Sequence, residues 1–101
     1  MRLWLDDCRP APEGYVWVKS VNDAKEVIEA FEAFSKLSPI ELIDLDYDSG
    51  DYEKDGGPYI KLMDWLVERG TLYPLAFHSQ NCVGMEYMKR IYRRYWLSES
   101  L

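Results

Sequence analysis

Two short apolar runs that pass straight into carboxylates constrain this chain most. Arg2-Leu3-Trp4-Leu5 ends in Asp6-Asp7, and Ile40-Glu41-Leu42-Ile43 leads into Asp44-Leu45-Asp46-Tyr47-Asp48. A third run, Leu72 to Phe77, ends in His78-Ser79-Gln80-Asn81. Runs of this length and composition read as strands. Three strands with polar groups at the same end predict a parallel sheet with a ligand site beyond its carboxyl edge.

The rest of the chain supplies the crossovers. Tyr15–Val18 reads as another strand. The two prolines at Pro10 and Pro12 keep the segment before it from being helical. Ser20 and Asp23 resemble a helix N-cap, followed by Ala24, Val27, Ile28, Phe31 and Phe34 at helical spacing to about Leu37. Ile60, Met63 and Leu66 mark a second helix, with Pro58 near its first turn and Gly70 as its C-cap. A last helix runs from about Val83 to Trp96, with Met85, Met88, Ile91, Tyr92 and Tyr95 on one face. Pro74 suggests an edge position for the fourth strand. Trp4, Trp17, Trp65 and Tyr92 read as core. The expected fold is α/β: a compact receiver-like, flavodoxin-like three-layer sandwich of about four mostly parallel strands and three helices, one domain over residues 1–101. Only about eight residues separate the first two strands. Either a bare loop makes that parallel crossover or the second strand runs antiparallel, and the bare loop is the expectation here.

Charge is local. Of the 18 acids, eight lie in the two acidic stretches (Asp6, Asp7, Asp44, Asp46, Asp48, Asp51, Glu53 and Asp55); the other ten face 12 bases, so the net charge of −6 belongs to the cluster. Such a cluster attracts a cation that can recruit phosphate, and it disfavours a duplex nucleic acid. Oxygen donors without a cysteine or histidine cluster suit Mg²⁺, Mn²⁺ or Ca²⁺ over zinc. No run reaches the roughly 20 apolar residues of a membrane span, and the N-terminus turns acidic too early for a signal peptide. With two thiols outside any paired motif, the expectation is a cytoplasmic, reduced protein.

An EF-hand fails on its glycine and its last ligand: Ser49 and Asp55 stand where glycine and glutamate belong. Asp44-Leu45-Asp46 resembles the haloacid-dehalogenase Asp-x-Asp only distantly. Asp6-Asp7, Asp46 and Ser79 are similar in type and order to response-regulator receiver domains, yet no lysine lies between Lys61 and Lys89 to neutralise an acyl phosphate. A closer resemblance is to the cyclic-phosphate processing receiver-like family. It rests on Leu5-Asp6-Asp7-Cys8-Arg9-Pro10-Ala11-Pro12-Glu13-Gly14-Tyr15, on Leu45-Asp46-Tyr47-Asp48-Ser49-Gly50, and on His78-Ser79-Gln80-Asn81-Cys82-Val83-Gly84. Cys8 stands where an acid is common, and Tyr47 replaces the middle histidine, so His78 is the chain's only histidine.

That resemblance implies a compact receiver-like fold and binding or processing of a cyclic phosphate or nucleotide. On this reading Asp6, Asp7 and Asp46 hold Mg²⁺ or Mn²⁺. Asp48 or Asp44 orients a water, with Asp46, Asp48 and His78 as the catalytic set and His78 protonating the leaving oxygen. Arg9, Ser79, Asn81 and the amides leading into the last helix hold phosphate, with Gly84 allowing close approach. For Arg9 the other reading is an ion pair within the cluster, and for His78 a structural ring bonded to a loop carbonyl. Lys89, Arg90, Arg93 and Arg94 read as the solvated side of the last helix. The alternative function is a non-catalytic module that sequesters a phosphorylated ligand or binds a protein partner.

Overall fold

The computed structural model describes residues 1–35 and 39–97. Four strands, β1 (Arg2–Leu5), β2 (Tyr15–Val18), β3 (Leu42–Leu45) and β4 (Leu75–Phe77), form one sheet in the order β2-β1-β3-β4. Every pairing is parallel, including β1 with β2, so the proline loop makes that crossover without a helix. Pro74 precedes the edge strand β4 and leaves it three residues long, shorter than the run Leu72–Phe77 suggested.

α1 (Val21–Phe34) joins β2 to β3, and α2 (Ile60–Arg69) joins β3 to β4. Both crossovers progress in the same direction across the sheet, and right-handed connections then place both helices on one face. That face carries Leu3, Leu5, Val18, Ile43, Leu45 and Leu75, which are buried against Ala24 and Ile28 of α1 and Leu62, Met63 and Leu66 of α2. α3 (Cys82–Tyr95) joins the same side: Met88 is part of this core, and the Tyr92 ring meets Phe77 edge-on.

Among the described residues the opposite face has no helix. Its outer layer is the β1–β2 loop, since so short a connection has no room for one. Trp4 lies there, 8% exposed, with its indole N–H donating to the Arg9 carbonyl at 2.9 Å and Tyr15 edge-on to its ring.

Local signals account for the helix ends. The Ser20 hydroxyl accepts the Asp23 amide and starts α1. Gly70 ends α2 in the left-handed region at φ 74°. A short 3₁₀ helix (Gly50–Lys54) sits in the acidic loop, where the sequence offered no periodicity to reveal it. Leu37 lies outside the described residues. Three apolar positions are exposed rather than core: Trp17 on the edge strand β2, and Phe34 and Tyr95 in the last turns of their helices, beyond the sheet.

Candidate metal centre

The strand register builds the site. Trp4 pairs with Trp17 and Asp44, and Asp44 with Ala76, so these four share a row on the helix-free face. The ladder continues one residue further. Asp46 N–H donates to the Leu5 carbonyl and His78 N–H to the Leu45 carbonyl, both at 2.9 Å, while Asp6 N–H reaches Val18 at 3.3 Å. Asp6, Asp46 and His78 therefore form the next row on the same face, at the carboxyl end of three adjacent strands. One ligand atom from each lies within 4.8 Å of the others.

His78 is held on three sides. Nδ1 is 2.6 Å from Asp44 Oδ1 and Nε2 is 2.9 Å from Asp6 Oδ2. Its ring stacks on Trp4 at 3.5 Å between centroids, with the planes 5° apart. Asp6 is 2% exposed, and its Oδ1 accepts the amides of Cys8 at 2.9 Å and Arg9 at 2.7 Å. Burial opposes its ionisation, but the Arg9 and Cys8 amides and then His78 outweigh that and hold the carboxyl below the usual range. Asp46 Oδ1 accepts the Tyr47 amide at 2.7 Å, which leaves its second oxygen.

The other candidates separate. Asp7, in the bend that follows β1, is not part of that group of three. Its carboxylate instead lies over Gly50, where a Cβ would come within 2.2 Å of Oδ2 at φ +56°. Asp48 is exposed beside Gly50 and Glu53. Arg9 contributes its backbone, and its side chain is exposed; among the described residues its guanidinium forms no ion pair. Ser79 Oγ accepts the Asn81 amide, and Asn81 Oδ1 accepts the Gly84 amide, so both cap α3. The space before Gly84 is filled by the Tyr47 ring, whose atoms would lie 2.3–2.6 Å from an added Cβ. Sequence reasoning missed Tyr59, fully buried, whose hydroxyl donates to the Lys19 carbonyl at 2.8 Å. Burial, then the carboxylates of Asp7, Asp6 and Asp46, push its phenol well up.

These groups fit a hard cation better than a bare anion site. Among the described residues no lysine or arginine pairs with Asp6, Asp7, Asp44 or Asp46, and His78 alone offsets them. The 2.9 Å between Nε2 and Oδ2 is close to the roughly 3 Å that separates neighbouring ligands around a six-coordinate ion with 2.1 Å bonds.

The fold and this row of side chains define a receiver-like α/β domain with an Asp/His group at the carboxyl edge of its sheet. The chain matches the family model of the cyclic-phosphate processing receiver domain over residues 1–94, and it belongs to that family. Searches of curated proteins and of solved structures gave no significant match. Among the described residues no helix is long and apolar enough to cross a membrane.

Proposed function

We propose that this domain binds a cyclic phosphate or nucleotide through a divalent cation, Mg²⁺ or Mn²⁺, held by Asp6, Asp46 and His78. The observation that carries this reading is the row of three ligand atoms within 4.8 Å, on a face that no helix covers among the described residues. A bound cation would supply positive charge to a phosphoryl oxygen. Asp6 is kept ionised by the loop amides, and Asp46 is anchored by its own turn, so the carboxylates meet a ligand already oriented.

Binding is favoured over turnover. Acid–base work needs a titrating atom within reach of the substrate. Both nitrogens of the chain's only histidine already face carboxylates. Tyr47, at the family's middle histidine position, is turned onto Gly84.

The test is a melting experiment with Mg²⁺ or Mn²⁺, alone and with 2′,3′-cyclic and 3′,5′-cyclic nucleotides. At ten times Kd the cation should add about 1.4 kcal/mol, a rise of roughly 5–10 °C in Tm. A cyclic nucleotide should raise Tm further only when the cation is there, and Asp46→Asn should remove both effects. A Tm indifferent to millimolar cation overturns the reading. Hydrolysis that Asp46→Asn abolishes would make the domain an enzyme instead.

A further inference from the structure

We propose that the Asp44–His78 pair makes the cation site selective for Mn²⁺ and other first-row transition ions over Mg²⁺ and Ca²⁺. The inference rests on the metal-dependent reading above and asks what distinguishes this site from an all-oxygen one. Asp6 commits Oδ1 to two amides and turns Oδ2 to His78 Nε2, and Asp46 commits Oδ1 to one amide, so Asp6 Oδ2 and the second oxygen of Asp46 are the carboxylate atoms a cation could take. A third donor is then needed nearby, and in the same row it is the imidazole.

Three constraints fix which nitrogen is offered. Asp44 takes Nδ1 at 2.6 Å, so Nε2 is the atom facing Asp6. The Trp4 stack sets the plane of the ring. The His78 amide, bonded to Leu45, sets its height above the sheet. A carboxylate behind a ligating histidine orients the ring and raises its basicity, and losing such a partner typically weakens metal affinity 10–100-fold. Imidazole suits transition ions, whereas Mg²⁺ and Ca²⁺ prefer oxygen and Mg²⁺ keeps its waters. Asp44 is thus a positioning residue, which acts on the cation through His78.

The decisive experiment is electron spin-echo envelope modulation on the Mn²⁺-loaded domain. Nitrogen modulation from a bound imidazole is expected in the unaltered protein, which requires no variant to fold. Titrations followed by the electron paramagnetic resonance of free Mn²⁺, with Mg²⁺ as competitor, should give a preference for Mn²⁺ of at least about tenfold. His78→Gln should abolish the nitrogen signal and bring the two affinities within about threefold. Asp44→Asn, which keeps the side chain's shape, should weaken Mn²⁺ about 10–100-fold and Mg²⁺ far less. Circular dichroism identifies any variant that has lost its fold. Mn²⁺ bound without nitrogen modulation, or a preference unchanged in His78→Gln, overturns the proposal and leaves the metal-dependent reading standing. No binding of either ion overturns both.

Discussion

At Gly84 two opposing effects can be weighed. Alanine in a helix is worth about 1 kcal/mol over glycine. Here its Cβ would enter the Tyr47 ring, and overpacking of that kind costs roughly 1–3 kcal/mol. Gly84→Ala should therefore lose about 1 kcal/mol or more in urea unfolding, and in a Tyr47→Ala background the sign should reverse. The glycine's place in the motif was legible in the sequence; its neighbour was not, because Tyr47 lies far away along the chain. The adjacent acids show the same boundary. Asp6-Asp7 reads as one unit, yet only Asp6 belongs to the group with Asp46 and His78, while Asp7 sits in the bend against Gly50. The tie from Asp44 to His78 spans 34 residues and depends on register. Trp17 looked like core by composition, and only the strand order reveals that it sits at an edge.

Among the elements, sequence composition and periodicity located all four strands and three helices, and the loop length left a bare crossover or an antiparallel second strand, between which the parallel β1–β2 pairing decides. Periodicity could not locate the 3₁₀ turn, nor what ties the elements together away from the site. One such tie is Glu32 of α1, which accepts from Arg69 at the end of α2 at 2.5 Å and from the Tyr73 hydroxyl just before β4. Burial and the Glu32 carboxylate push the Tyr73 phenol up to about 12, above its ordinary value of 10. Between those values the folded state keeps a proton that the unfolded chain has released. This tie is therefore intact below pH 10 and lost as pH rises toward 12. Replacing Tyr73 with Phe should flatten that alkaline decline in chemical-denaturation midpoints measured from pH 9 to 12. If the slope is unchanged, the tie contributes nothing to stability.

On the scale of the whole molecule, the division of labour between the two faces of the sheet matters most. Helices and apolar side chains occupy one face. The opposite face carries Trp4, Asp44 and the row Asp6, Asp46 and His78, with the β1–β2 loop hydrogen-bonded to the Trp4 indole. The convergence of polar groups at the carboxyl edge was readable because every acidic run follows an apolar strand. Which face they share was not, since it follows from crossover handedness. Asn81 and Gly84 stand at the start of α3, with Ser79 just before it, and their side-chain and amide hydrogen bonds cap that helix.

The stack of Trp4 on His78 has an optical consequence. Indole emission depends on what lies against its face, so Trp4 fluorescence should follow the position of the His78 ring stacked on it beside Asp44 and Asp6. In a protein in which Trp17, Trp65 and Trp96 have been changed to Phe, the remaining fluorescence becomes a gauge of the ring's position. His78→Gln should change its intensity or wavelength, and any ligand that draws the imidazole off the indole should change it in the same direction. The domain would then report on its own centre, in real time and without an added dye.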